Sequence, residues 1–98
     1  MIIPKEMRRD YLERRRAELE LLKASIANPD FVLIKKMGHQ IKGNAKSFNF
    51  DDLTEIAVSF EKAAESKDKF ALLTAVKEFE KCIKLHAQRL ASEETVSD

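Results

Sequence analysis

The fold of this chain is decided by residues 35–48, whose sequence is KKMGHQIKGNAKSF. At 100° per residue, the apolar side chains in and beside this stretch fall on one side of an α-helix. They are Ile34, Met37, Ile41, Ala45 and Phe48. His39 falls almost opposite that side. The pattern predicts a helix that packs by one face and presents a single imidazole to solvent from the other.

Four lysines surround His39 on the solvent face of this predicted helix: Lys35, Lys36, Lys42 and Lys46. Their mutual repulsion costs stability, but the arrangement suits a face that periodically carries a dianion such as phosphate. Gly43 follows His39 by one turn, and a glycine inside a helix costs roughly 1 kcal/mol relative to alanine. We expect Gly43 to keep steric access to His39 open.

Length and composition predict one small all-helical domain. The chain has 98 residues, which is enough for one modest core. Charged residues make up 36% of it, only two glycines and two prolines are present, and no stretch alternates apolar with polar residues. The net charge is +1 with acids and bases interspersed, which argues against a general nucleic-acid-binding protein.

The sequence favours the cytoplasm. No apolar stretch approaches the length of about 18 residues that crosses a bilayer, and residues 1–4 do not resemble a signal peptide. The one cysteine, Cys82, cannot form an internal disulfide, which fits a reducing compartment. We expect Cys82 to be a buried or partly buried thiol in a helix.

Four helices are predicted, separated by short breaks. The first opens near Pro4 and ends at about Ala27, before an Asn-Pro pair. Asp30 is expected to cap the second helix and Asp51 the third, and residues 66–68 precede the fourth. Short connections place consecutive helices side by side, so we expect an antiparallel four-helix bundle that runs up-down-up-down.

Three of these helices have an apolar stripe besides the one described above. The first has Leu12, Leu19, Leu22 and Ile26, the third Leu53, Ile56, Ala57, Phe60 and Ala64, and the fourth Phe70, Leu73, Val76, Phe79, Ile83, Ala87 and Leu90. We interpret the basic run Arg14-Arg15-Arg16 as a solvated face, and residues 92–98 as a frayed acidic tail.

The second histidine, His86, lies on or beside the apolar stripe of the fourth helix, and we interpret it as structural. No metal is expected at His39, because no other His or Cys lies within two turns of it and the carboxylates sit on other helices. Catalytic triads, glycine-rich phosphate loops and paired-carboxylate spacings are not recognisable, so catalysis by this chain alone is unsupported.

Residues 39–45, HQIKGNA, resemble the signature of histidine phosphotransfer domains, in which Lys and Gly follow a His at the third and fourth positions. The order of helices is also similar to that family over about residues 5–90, and residues 1–98 are interpreted as one such domain. Lys46 departs from the small residue, and Asn49 from the glycine, that are common there. Asn tolerates the left-handed conformation that a turn needs.

The resemblance implies that His39 shuttles a phosphoryl group between aspartates of response-regulator receiver domains in a phosphorelay with a hybrid histidine kinase. Lys42 and Lys46 would stabilise the phosphorylated ring. Transfer also needs a metal ion, and the resemblance implies that the receiver domain supplies Mg²⁺ while this chain has no cofactor of its own. We expect a monomeric phosphoryl carrier without kinase activity.

The resemblance also places the docking surface for receiver domains around His39. We assign to it Val32, Lys35, Lys36 and Gln40. Val32 lies seven residues before His39 and hence on the same face, and packing against the first helix is the alternative for its side chain.

Two other functions stay open at this point. A non-catalytic bundle could dock receivers or other partners without carrying phosphate. A helical module could instead bind nucleic acid or other anions through the lysines, with a steep loss of affinity in salt. Met1 and the polar tail favour a free-standing shuttle over one domain of a larger kinase.

Overall fold

The computed structural model describes residues 3–95, and these residues form four α-helices and one short 3-10 helix, with no strand. The helices are α1 (Lys5–Ala24), α2 (Phe31–Asn44), the 3-10 helix (Lys46–Phe48), α3 (Asp51–Ser66) and α4 (Lys69–Thr95). The predicted all-helical fold is confirmed. Over this same range, every helix is too short or too polar to cross a membrane.

Helix α1 begins directly after Pro4, as predicted, but it ends at Ala24 rather than at about Ala27. The amide of Ser25 donates to the carbonyls of Leu21 and Leu22, which closes the last turn. Residues 25–27, which follow the helix, form turns. The predicted end was therefore one turn too late.

The two predicted N-caps had different outcomes. The Asp30 side chain accepts a hydrogen bond of 3.1 Å from the amide of Leu33, which confirms that Asp30 caps α2. The prediction for α3 was wrong by one residue. Phe50 occupies the N-cap position, and Asp51 is already the first residue of the helix, where its charge still favours the N-terminal end of the helix dipole.

Helix α2 ends earlier than the apolar pattern predicted. It stops at Asn44, and the chain then tightens into the 3-10 helix that contains Lys46 and Phe48. Asn49 has a φ of 67°, which confirms the expected left-handed turn residue. Beyond it, the amide of Phe50 donates to the carbonyl of Ala45 and closes the turn.

Tyr11 of α1 packs against this turn. Its buried ring stacks on Phe48, with 4.5 Å between ring centroids, and on Phe50, with 5.5 Å. Its hydroxyl donates a hydrogen bond of 2.6 Å to Oδ1 of Asn44 at the end of α2. Through Tyr11, the first helix packs directly on the end of the second.

The core is built from all four helices, and the predicted stripe of α3 is buried throughout. The buried members of the other predicted stripes are Leu12, Leu19, Leu22, Ile34, Ile41, Ala45, Val76, Phe79, Ile83 and Leu90, while Ile26, Met37, Phe48 and Ala87 pack against them partly buried. The free thiol of Cys82 is buried, as expected.

The predicted stripe of α4 was wrong at its start. Phe70 is 80% exposed and Leu73 is 43% exposed, while Leu72 and Ala75 are buried in their place. Phe70 precedes Leu72 by two positions, which is 200° around a helix, so the two side chains cannot both face inward.

Arg15 does not lie on a solvated face, contrary to the interpretation of the basic run. Its side chain is buried, its guanidinium carbon lies 4.5 Å from the centroid of the Tyr11 ring, and its Nε lies 2.6 Å from a carboxylate oxygen of Glu18. Arg14 and Arg16 are exposed, as expected. The pattern of charges alone did not reveal that a neighbouring aromatic ring covers the middle arginine.

Ion pairs join both ends of α1 to α4. Arg8 forms a two-bond pair with Glu93, at 3.0 and 3.2 Å, and Lys23 lies 2.8 Å from Glu80. Helix α4 continues to Thr95. The described part of the tail that was expected to fray is therefore helical. The rest of that tail, residues 96–98, lies outside the described residues.

Gly38 determines how closely α2 can approach α3. It is buried, and a Cβ at this position would lie 2.9 Å from the carbonyl oxygen of Ala57 and 3.1 Å from Cγ of Glu61. The first of these contacts is to backbone, which cannot rotate away. Only glycine fits without moving the two helices apart. At Gly43, by contrast, an added Cβ would meet nothing within 4 Å.

The two glycines of α2 should therefore respond in opposite directions to the same substitution. Gly38→Ala should lower the free energy of unfolding by up to about 2 kcal/mol, because overpacking costs about 1–3 kcal/mol and the better helix propensity returns roughly 1. Gly43→Ala, the matched control, should raise it by up to about 1 kcal/mol. Urea unfolding followed by circular dichroism measures both. Equal effects of the two substitutions would contradict the close approach at Gly38.

Candidate functional site

His39 lies on the outer face of α2, and its side chain is 76% exposed. The buried side chains of α2, Ile34 and Ile41, lie on the opposite face. The prediction that this imidazole projects into solvent from a helix that packs by its other face agrees with the structure. A partner molecule can therefore reach the ring.

A carboxylate on α3 connects His39 with Lys42. One oxygen of Glu61 lies 2.8 Å from Nζ of Lys42, and the other lies 3.7 Å from Nδ1 of His39. The Glu61 side chain is only 13% exposed, because it stands against Gly38 in the groove between α2 and α3. The histidine, the lysine and the carboxylate form one cluster, here called the His39 cluster.

The charge state of the His39 cluster follows from these contacts. The hydrogen bond from Lys42 holds the pKa of Glu61 below its ordinary value, and the nearby His39 ring acts in the same direction, while burial opposes both. Glu61 is therefore ionised at neutral pH. An ionised carboxylate facing Nδ1 favours the tautomer that has its hydrogen on Nδ1, and this leaves the lone pair of Nε2 free.

Glu61 was not among the site residues that the sequence predicted. The signal that could have identified it is the acidic character of the third helix, since an acidic helix next to a lysine-rich one is expected to form cross-helix pairs. The residue that faces His39 depends on the register of α2 against α3, which Gly38 fixes by steric contact. The spacing within either helix alone does not contain that information.

The predicted ring of lysines is only partly present. Lys42 is bound to Glu61, and Lys35 lies 3.6 Å from Glu65, so acids of α3 offset two of the four positive charges. Lys46 is exposed, but it belongs to the 3-10 helix beyond the end of α2. This compensation does not favour a module that binds nucleic acid through a lysine face.

Gly43 is exposed, and its missing side chain leaves open space rather than a packing contact. Nothing in the packing of the helices requires a glycine at this position. The structure therefore offers no core role that would compete with the predicted role of keeping His39 accessible, and that role stays a prediction.

Exposed side chains predicted to form a docking surface lie around His39. Val32 is 83% exposed, so the alternative that it packs against the first helix was wrong. A shallow depression of about 500 Å³ is lined by Val32, Lys35, Lys36, His39 and Glu61.

Lys36 and Gln40 also line a groove of about 310 Å³ between α1 and α2, together with exposed Leu21 and Leu33. This arrangement supports the docking role but does not test it.

His86 has the structural environment that was predicted for it. It is buried, its Nε2 lies 2.8 Å from both carboxylate oxygens of Asp52, and its ring meets Phe50 edge-on at 4.7 Å between centroids. Burial would raise the pKa of Asp52, but hydrogen bonds from His86 and Cys82 outweigh it and lower that pKa. The pair links the start of α3 to α4.

The accessible imidazole of His39, the lysine one turn after it and the carboxylate near Nδ1 thus lie together on one face of a helical domain. The family model of the Hpt domain matches residues 6–93, and the chain belongs to this family. No curated protein and no solved structure shows a significant match. Membership supports a role in histidine phosphotransfer, and Hpt domains interact with response-regulator and kinase components of phosphorelays.

The contact between Asp52 and His86 predicts a pH dependence of stability. Because the pKa of Asp52 is lowered in the folded state, the contact stabilises the fold above the unfolded-state value near 3.9 and is lost as the pH falls through the folded-state value. Asp52→Asn should therefore lower the melting temperature at about pH 5 and have little effect at about pH 2.

The neighbouring Asp51→Asn is the matched control for this prediction, since it removes a charge from the same first turn of α3. The Asp52 side chain is about half exposed, so the difference between the two variants should be no more than about 1 kcal/mol. Identical melting curves for both variants at about pH 5 would show that the contact does not stabilise the fold.

Proposed function

We propose that this protein is a phosphoryl shuttle in which His39 accepts a phosphoryl group from an aspartate of one receiver domain and donates it to an aspartate of another. The observation that carries the proposal is the His39 cluster: an exposed imidazole whose Nδ1 faces an ionised carboxylate and whose neighbouring lysine is held by that same carboxylate.

The chemistry of transfer follows from that geometry. The lone pair of Nε2 attacks the phosphorus of an aspartyl phosphate, and the bond between phosphorus and the carboxylate oxygen breaks, with its electron pair leaving on the aspartate. Nδ1 keeps its hydrogen, so the ring becomes positively charged while the phosphoryl group on Nε2 is a dianion. No proton has to be removed. Glu61, 3.7 Å from Nδ1, stabilises the positive ring electrostatically.

Lys42 has a second role in this proposal. Its ammonium group is partly exposed and is held 2.8 Å from Glu61, one turn after His39. When the ring carries a dianion, that ammonium group can turn from Glu61 to the phosphoryl oxygens and form a charge-assisted hydrogen bond. Lys46 and Lys35 contribute weaker attraction that salt screens.

A receiver domain would dock on the exposed residues around the ring, which are Val32, Lys35, Lys36 and Gln40, with Gly43 leaving room for it. We propose that this partner supplies the Mg²⁺ for transfer, and that the chain acts as a cytoplasmic monomer.

We also propose that the bundle runs up-down-up-down. Two ion pairs support this topology. Arg8–Glu93 joins the start of α1 to the end of α4, and Lys23–Glu80 joins the end of α1 to the middle of α4.

The function is tested by mixing the chain with a phosphorylated receiver domain. The wild type should acquire a phosphoryl group that is stable to base and labile to acid, located on His39 by mass spectrometry. His39→Gln should lose it while keeping the same melting temperature, because the side chain is exposed. A wild-type protein that binds the receiver but never carries phosphate would contradict the shuttle and favour an adaptor that only docks receivers.

The role of Glu61 is tested separately. Glu61→Gln keeps the shape of the side chain but removes the charge that lies 3.7 Å from Nδ1, and two unit charges at about 4 Å attract by about 1 kcal/mol in bulk water to about 4 kcal/mol near a protein surface. The initial rate of phosphoryl acceptance should therefore fall roughly tenfold. Glu65→Gln is the matched control, because Glu65 pairs with Lys35 rather than with the imidazole, and its rate should stay close to that of the wild type. Equal rates for the two variants would show that Glu61 does not stabilise the positively charged ring during transfer.

A further inference from the structure

Away from His39, three side chains of metal-binding chemistry meet where the start of α3 packs against the second half of α4. They are Asp52, Cys82 and His86. Their ligand atoms, which are a carboxylate oxygen, Sγ and a ring nitrogen, all lie within 4.8 Å of one another. Among the described residues, no other group of three such side chains is brought together in this way. The cluster plays no part in the mechanism above.

The backbone brings these ligands together in advance. Cys82 and His86 are one turn apart on α4 and therefore share a face of that helix. Asp52 is contributed by the first turn of α3, and its oxygens already lie 2.8 Å from Nε2 of His86. Ligand atoms around a tetrahedral zinc ion, at bond lengths of about 2.0–2.3 Å, are about 3.3–3.7 Å apart. The present separations, from 2.8 Å between Asp52 and His86 to at most 4.8 Å within the cluster, bracket that spacing.

Burial and access also suit a metal ion. Cys82 is 8% exposed and His86 is 9% exposed, so packing fixes both side chains, while Asp52 remains open to solvent. A groove of about 310 Å³ runs past Asp52 and Cys82 and is lined by Glu55, Glu78 and Lys81. It provides a path for an ion and space for a water molecule.

The thiol is protonated in the protein without metal. Burial, with the negative charge of Asp52 beside it, raises the pKa of Cys82 to about 12. A divalent cation placed between these two groups would reverse that electrostatic effect, since coordination stabilises the thiolate.

We propose that Asp52, Cys82 and His86 form a zinc site, with one carboxylate oxygen, Sγ and Nε2 as protein ligands and water in the fourth position. On binding, the Cys82 thiol proton and the hydrogen on Nε2 of His86 both pass to solvent water, and the bound neutral ring has its one hydrogen on Nδ1, taken up from water where that nitrogen was bare. Ligands of these three types suit Zn²⁺, and a thiolate with an imidazole disfavours Mg²⁺ and Ca²⁺. The ion would link α3 to α4.

This site is independent of the proposed phosphoryl transfer. Asp52 and Glu61 are nine residues apart on α3, which is about 14 Å along the helix axis. Transfer at His39 and metal binding at this cluster can therefore be measured separately in the same protein, and either can fail without the other.

The test uses Co²⁺ as a spectroscopic substitute for Zn²⁺. Because the chain has one cysteine, a near-ultraviolet charge-transfer band from thiolate to cobalt reports on Cys82 alone. The wild type should develop this band with one equivalent bound, and added Zn²⁺ should abolish it. Cys82→Ala should lose the band, while Asp52→Asn and His86→Gln should weaken cobalt binding at least tenfold. His39→Gln, which removes the only other histidine, is the matched control and should behave like the wild type.

Two further measurements do not depend on whether a variant folds. Zinc at about a hundredfold excess over its dissociation constant should raise the melting temperature of the wild type by roughly 10 °C. X-ray absorption of the zinc complex should show one sulfur among nitrogen and oxygen neighbours. Absence of the charge-transfer band at high Co²⁺, a band that persists unweakened in both Asp52→Asn and His86→Gln, or a band that appears only in a metal-bridged dimer would each overturn the proposal.

Discussion

The arrangement of this protein depends on the close approach of α2 and α3 at Gly38. A single added carbon there would lie 2.9 Å from the backbone of Ala57, so the separation of these two helices is determined by the absence of a side chain. That separation brings Glu61 close to His39 and Lys42. The chemistry that we assign to the exposed face of α2 therefore rests on a packing contact on its buried side.

The same contact resolves an apparent conflict in the charge of α2. Four lysines near one imidazole would repel one another, but acids of α3 pair with Lys35 and Lys42 when no phosphate is present. Glu61 is placed to serve two states. It holds the Lys42 ammonium group in the structure, and in the proposed phosphorylated state it would face the positive charge on the imidazole while Lys42 would be available to the phosphoryl oxygens. Under this proposal the site would need little rearrangement between the two states.

Much of the fold was predictable from sequence, because apolar periodicity and breaks at Pro and Asp depend on neighbours along the chain. The exposure of His39, the cap at Asp30 and the left-handed Asn49 are of this kind. What was missed depends on contacts between helices. Glu61 faces His39 only because of the helix register, Arg15 is buried only because Tyr11 lies beside it, and Asp52 meets Cys82 and His86 only after α3 packs on α4.

The most direct test of this account is long-range ¹H–¹⁵N NMR correlation on the phosphorylated protein with ¹⁵N-labelled histidine, which identifies the nitrogen that carries phosphorus. The approach of α2 and α3 places Glu61 at Nδ1, so we predict that the phosphoryl group of His39 is on Nε2 and that the hydrogen is on Nδ1. A phosphoryl group on Nδ1 would contradict the account, because that nitrogen would then have to point away from Glu61.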